Sequence, residues 1–309
     1  MLAVAGVMPI LILAGGCARQ DTEDTYLVAL EAPFWRAVTE AYPELEAELR
    51  ASVLADGRAL SIAHLDAEEP LDALHARLAR SRHAGVVLTP LLSLQAEEVA
   101  AAHPDLRVVV LTWTGEAAAE AATPAGGPNV TSVSFLRNDA LERAGRLLAV
   151  YLADQQEGRI GILATGGSVE RAHVAAFRRG VTNAGGAARV TERRIDRSAD
   201  SAALKRSLAA LQRSEVQVVY LEVGSLTGAA LETLARDGTF AMVRNWGYRS
   251  GFEETVLLSV NDPPLEALRA GVDADPGSSV EVASEVVWGT GAPPPDGAED
   301  LYDAVRTIP

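Results

Sequence analysis

Two successive runs of short apolar segments alternate with amphipathic ones along most of the chain, and this rhythm limits the fold more than any single residue does. In the first run, strand-like segments at Tyr26–Glu31, Leu60–Leu65, Gly85–Thr89 and Leu106–Trp113 are separated by helical segments at Phe34–Ala51, Pro70–Arg82 and Leu94–His103. The helical segments carry apolar residues at every third or fourth place: Val38, Ala41, Leu45 and Leu49 in one, Leu71, Leu74 and Leu78 in the next. Gly85–Thr89 is almost continuously apolar, as suits a parallel strand buried on both faces. An Ala-, Gly- and Pro-rich stretch at Glu116–Asn129 interrupts, and then the rhythm restarts. Strands are expected at Val130–Phe135, Arg159–Ala164, Arg189–Ile195, Val216–Glu222, Ala241–Trp246 and Thr255–Val260. Helices are expected at Asp139–Gln155, Val169–Ala184, Ser201–Arg213, Leu226–Asp237, Pro263–Val272 and Ser278–Trp288, before Pro293-Pro294-Pro295 breaks the chain.

Strand–helix alternation predicts parallel sheets with helices on both faces. Two runs predict two doubly wound α/β lobes rather than one long sheet, and a length of 309 residues suits two domains. A hydrophobic content of 48 % supports packed cores and excludes a disordered chain. No short-period repeat points to a solenoid. The formal net charge of −15 argues against nucleic acid, whose phosphates require a basic face, and against electrostatic adhesion to anionic lipid.

The only cysteine, Cys17, ends an apolar run in Leu13-Ala14-Gly15-Gly16-Cys17. The run is short for a membrane span, which needs roughly 20 residues, and has the length of a secretory core followed by small residues. A cysteine so placed resembles the lipobox of bacterial lipoproteins, although Ala14 stands where a larger aliphatic residue is usual and Met1-Leu2-Ala3-Val4 carries no basic group. The resemblance implies a signal peptide over 1–16, lipid on Cys17 and a polar tether over 17–25. Ordinary cleavage near Ala18 and a buried thiol are the alternatives. Because the chain is acidic, membrane attachment would rest on acyl chains, each buried methylene contributing ~0.8 kcal/mol.

Four stretches, in order, are similar to a known family. Glu31-Ala32-Pro33-Phe34-Trp35 follows the first strand; Gly85-Val86-Val87-Leu88-Thr89-Pro90 forms the third. Gly158-Arg159-Ile160-Gly161-Ile162-Leu163 is followed by Arg171 and by Phe177-Arg178-Arg179-Gly180, and Leu257-Leu258-Ser259-Val260-Asn261-Asp262-Pro263 comes late. Together they resemble the type I periplasmic binding proteins. The resemblance implies two lobes joined by a three-strand hinge, with crossings near Ser132–Asn138, Trp246–Gly251 and Thr290–Asp296. The N-terminal lobe would comprise 26–131 and 249–290, and the C-terminal lobe 132–248 and 291–309. It further implies a monomeric solute-binding lipoprotein outside a bacterial cytoplasmic membrane, with a small-molecule ligand and an ABC permease as partners. A ligand-sensing subunit for a membrane kinase or chemoreceptor is the alternative. Sugar-responsive regulators share the fold but carry a helix-turn-helix, which is not read in this sequence.

In open α/β sheets, ligands bind beyond the carboxyl ends of the strands. Those ends carry Glu31 with Phe34 and Trp35, Trp113, and Trp246, so three of four tryptophans fall where a cleft would open. An aromatic cup suits a sugar ring or a nucleobase, each good contact contributing roughly 0.5–1.5 kcal/mol. The plain alternative is that each tryptophan plugs the rim of its own sheet. Arg171, Glu222 and Ser225 are the expected polar partners by family position; a solvated helix-face charge is the alternative for Arg171. An N-cap is the expected role of Asn138. Trp113 replaces a hydrogen-bonding pair common in sugar binders, which favours a flatter or less hydroxylated ring.

Enzymatic patterns fail. Gly224-Ser225-Leu226-Thr227-Gly228 misses the spacing of a nucleophile elbow, and no phosphate-loop lysine follows Gly166-Gly167-Ser168. His64, His75, His83, His103 and His173 show no metal-ligand spacing, and solvated surface positions are expected for them. A non-enzymatic chain without cofactor or metal is therefore expected.

Overall fold

A computed structural model describes residues 25–32, 44–51, 54, 57–65, 69–89, 92–112, 127–153, 158–185, 188–196, 198–244 and 252–289. The first lobe is built on β1 (Thr25–Glu31), β2 (Ala59–Leu65), β3 (Gly85–Leu88), β4 (Arg107–Thr112), β5 (Val130–Leu136) and β11 (Ser279–Ala283). They lie in the order β2-β1-β3-β4-β5-β11, and every pairing is parallel. The second lobe repeats the pattern with β6 (Arg159–Thr165), β7 (Arg189–Ile195), β8 (Val218–Glu222), β9 (Phe240–Arg244), β10 (Val256–Asn261) and β12 (Glu285–Trp288). Its order is β7-β6-β8-β9-β10-β12, with only β12 antiparallel. Both sheets thus show the doubly wound order in which the first strand sits inside the second.

Residue alternation along each strand builds two cores per sheet. In β1, Tyr26, Val28 and Leu30 face a core shared with α1 (Leu45–Ala51) and α8 (Pro264–Asp273). Leu27 and Ala29 face the opposite core, under α2 (Pro70–Arg80) and α3 (Ala96–Ala102). In the second lobe, α4 (Arg137–Ala153) and α5 (Ser168–Asn183) cover one face, and α6 (Ser201–Gln212) and α7 (Thr227–Arg236) the other. Such burial on both faces is why these strands read as continuous apolar runs. Pro70 and Pro264 open α2 and α8, where a missing N–H costs nothing. Asp200 caps α6 by accepting the Ala203 N–H at 2.7 Å. Helices α4 and α5 approach at backbone distance: a Cβ on Gly180 would run into the Glu142 carbonyl oxygen, and one on Gly145 into that of Phe177.

Two expectations are corrected. Ser278–Trp288 is not a helix but two strands, β11 and β12, in different sheets. Its Val280, Val282, Val286 and Val287 favour extended backbone, and Val280 and Val282 keep a period of two that a helical reading ignored. The second correction concerns the lobes. Strand β10, expected in the N-terminal lobe, pairs with β9 in the second sheet, as does β12 with β10.

The chain crosses between lobes at three places. From β5 it enters α4, which packs on the second sheet; from β10 it enters α8, which packs on the first; and Ser284 alone separates β11 from β12. The second and third crossings therefore fall at Asn261–Pro264 and Ser284, not near 246–251 and 290–296. Residues 1–24, with Cys17, and 290–309 lie outside the described residues. Among the described residues no helix is long and apolar enough to cross a membrane.

Candidate functional site

The crossings leave from the carboxyl ends of β5, β10 and β11, so both sheets turn their carboxyl edges toward one another there. These edges are where a doubly wound sheet places its ligand.

In the first lobe, Glu31 ends β1 and is 1 % exposed. One carboxylate oxygen accepts the Leu92 backbone N–H at 2.5 Å, and the other accepts the Thr89 hydroxyl at the end of β3. The Thr89 oxygen also lies 2.7 Å from the Ala29 carbonyl. Glu31 therefore closes the switch point between β1 and β3 with neutral donors, and its acceptor capacity is largely used inside the lobe. Ala32 follows; Phe34, Trp35 and Trp113 lie outside the described residues.

The second lobe gathers charge at the same edge. Glu222, at the end of β8, is 3 % exposed. It accepts the Tyr220 hydroxyl at 2.6 Å and both ends of a guanidinium fork from Arg244, which ends β9, with Nε at 3.0 Å and Nη2 at 2.8 Å from Oε1. His173, on the buried stripe of α5, brings Nδ1 to 3.5 Å. Burial alone would raise the Glu222 pKa; Arg244, aided by His173 and Tyr220, reverses this and holds it at about 2. Burial, and then the Glu222 charge, push the Tyr220 hydroxyl well above its ordinary value, so it remains a donor. Burial lowers the Arg244 pKa, but the Glu222 carboxylate more than offsets it, and the guanidinium stays charged. At 26 % exposed, Arg244 is the member of this cluster that can still meet a ligand.

Beside this cluster lies a second ion pair. Arg137, the first residue of α4, is 2 % exposed and sends Nε to both oxygens of Asp262 at 2.8 and 3.1 Å. Ser284 donates to Asp262 at 2.7 Å, and Arg143 reaches the Ser284 carbonyl at 3.3 Å. The Arg137 guanidinium also rests 5.4 Å over the Phe135 ring. Burial lowers the Arg137 pKa and Asp262 opposes it. Next to Asp262, Asn261 is fully buried and accepts the Ser259 hydroxyl at 2.6 Å.

The expected site residues are thus sorted. Glu31 and Glu222 reach the edges, but their carboxylates are occupied within their own lobes. Ser225 sits exposed in the 3-10 turn Gly224–Leu226 after β8. Arg171 is exposed on the first turn of α5 and donates back to the Gly166 carbonyl at 2.5 Å. Trp246 lies outside the described residues, and Trp288 packs edge-on to Tyr151. The expectation of solvated histidines fails at His173, which is 2 % exposed. Sequence reasoning missed Tyr220, Arg244, Arg137, Asp262 and Ser284. The apolar stripe His173, Val174, Phe177, Val181 carried a usable signal, since only a buried histidine keeps that register.

A groove of about 620 Å³ opens elsewhere, lined by Leu78, His83, His103 and Leu106. It lies at the amino ends of the first sheet's strands, where His75 Nδ1 and His103 Nε2 approach to 3.0 Å, and not at the carboxyl edges. Among the described residues no cluster could hold a metal ion.

No family profile matches the chain, and no curated protein matches it. Solved structures do. An ABC transporter solute-binding protein from Conexibacter woesei aligns at 12 % identity and a TM-score of 0.67, covering 92 % of this chain and 97 % of its own. A transcriptional activator of the comK gene from Bacillus halodurans aligns at 16 % identity and a TM-score of 0.66, covering 92 % and 96 %. A periplasmic ribose ABC transporter protein from Conexibacter woesei aligns at 15 % identity and a TM-score of 0.52, covering 92 % and 94 %. At these identities the likeness establishes the fold: the two lobes have the type I periplasmic binding protein architecture.

Proposed function

We propose that the chain is an extracytoplasmic solute-binding lipoprotein, lipid-anchored through Cys17, that closes on a small ring-containing solute of sugar or nucleoside type and delivers it to an ABC importer. One observation supports this above the others: two doubly wound sheets present their carboxyl edges to each other across three chain crossings. A ligand seated there contacts both lobes at once and favours the closed arrangement over the open one. Arg244, fixed by Glu222, is the described group that orients it, since an arginine held by a carboxylate presents its remaining N–H groups in a set direction. Trp35, Trp113 and Trp246 supply the aromatic cup. The chain binds its solute and does not transform it.

Thermal unfolding against a panel of monosaccharides, nucleosides and autoinducers tests it. Binding stabilises by RT ln(1 + [L]/Kd), about 2.7 kcal/mol at a hundredfold excess over Kd, so a true ligand raises the Tm in a dose-dependent way. A flat response across the panel counts against solute binding. Palmitate labelling of the natural chain against Cys17→Ser tests the anchor separately: loss of label in the variant supports it, and no label in either contradicts it. An extracytoplasmic sensor subunit would use the same lobes, and pull-down of a membrane kinase instead of a permease would favour it.

A further inference from the structure

We propose that Asp262 is the positioning residue of the hinge: its carboxylate gathers the three interlobe crossings at one buried point, so that the lobes turn about the Arg137–Asp262–Ser284 cluster instead of sliding past it. Each member comes from a different crossing. Arg137 opens α4 directly after β5, Asp262 follows β10, and Ser284 is the single residue between β11 and β12. The three residues are 2 %, 3 % and 1 % exposed. Two Arg137 Nε contacts at 2.8 and 3.1 Å and one Ser284 contact at 2.7 Å converge on the two oxygens of Asp262.

The arrangement has the properties of a pivot. Main chains that cross between two bodies can each bend independently unless something ties them together. A buried carboxylate taking donors from the other two crossings supplies that tie, and charge-assisted bonds of this kind are short and directional. Separation of the ion pair would leave charge in an apolar setting, which is strongly unfavourable, so the contact persists through rotation. The cluster also stands close to the Glu222–Arg244 pair: Arg244 disfavours the Arg137 charge, and Asp262 favours that of Arg244. This inference rests on the two-lobed, closing reading of the site, but its test uses no ligand.

The experiment is a spin-label distance measurement on the full chain, with Cys17→Ser and labels at Leu94→Cys in the first lobe and Lys205→Cys in the second. Leu94 is 87 % exposed, and Lys205 lies on the outer face of α6. The unaltered hinge should give resolved distance peaks. Asp262→Asn should lose them to one broad band, and Ser284→Ala should broaden them less, since it frees only one crossing. Leu234→Ala, which empties core volume under α7 at the amino edge of the second sheet, should lower the Tm and keep the peaks. Folded Asp262→Asn with unaltered peaks would overturn the proposal, as would equal broadening by Leu234→Ala. Where Asp262→Asn does not fold, Arg137→Met with Asp262→Leu replaces the pair by apolar volume, and the same broadening is expected. Because every distance is taken without ligand, an empty ligand panel leaves this result standing, and intact peaks in Asp262→Asn leave solute binding standing.

Discussion

Glu31 and Glu222 make an informative pair. Both are buried acids at the carboxyl edge of a doubly wound sheet, one in each lobe, and both fasten neighbouring strand ends. The first lobe satisfies its acid with a hydroxyl and a backbone N–H. The second uses a guanidinium, a phenol and an imidazole. Among the described residues the first solution brings no charged donor to its acid, whereas the second leaves Arg244 partly exposed with its orientation fixed. One fold thus gives one lobe a closed latch and the other a poised cation.

The largest effect expected from this contrast comes from Arg244→Met. Removing one partner of a buried pair strands Glu222, at a cost of about 3–4 kcal/mol, read as a drop in chemical or thermal midpoint. A loss below about 1 kcal/mol would mean that the pair behaves like an exposed one and the contrast is false.

Acid should separate the lobes next. The Glu222 pKa is lowered from 4.5 to about 2, so its contribution is complete above the higher value and disappears as pH falls through the lower one. The difference corresponds to about 3 kcal/mol between those limits. An acid titration of stability should show this limb in the natural chain and lose much of it in Glu222→Gln. An identical limb in both would place the acid sensitivity elsewhere.

Thr89→Val probes the quieter lobe. It removes the hydroxyl from Glu31 while keeping side-chain shape, and should cost about 1–2 kcal/mol. A cost equal to that of Arg244→Met would erase the distinction between neutral and ionic latches. Asp200→Ala, which touches neither latch, should cost only about 1 kcal/mol for the lost cap and leave the acid limb of Glu222 unchanged.

The sequence made the lobes legible because doubly wound strands are apolar on both faces, as in Val28, Val87 and Val109 against Leu27, Val86 and Val108. It misled at Ser278–Trp288, where two very short edge strands separated by one residue occupy a length typical of a helix. Lobe membership of β10 was not legible, since which sheet a strand joins depends on pairings far away in sequence. The site was legible only in part. Glu222 was identifiable as a strand-end acid, yet its partner Arg244 lies 22 residues on, and only the β8–β9 pairing brings them together. The hinge cluster was hidden for the same reason, with Arg137 and Asp262 separated by 125 residues.

The central claim, that the facing carboxyl edges bind a solute and that Arg244 orients it, meets its most direct test in paired melting curves. The natural chain and Arg244→Lys are melted side by side across the sugar, nucleoside and autoinducer panel. Lysine keeps the charge beside Glu222 but loses the fork, so the variant should fold. The account predicts at least one compound that raises the Tm of the natural chain with dose and raises that of Arg244→Lys much less. Equal shifts in both proteins would contradict it.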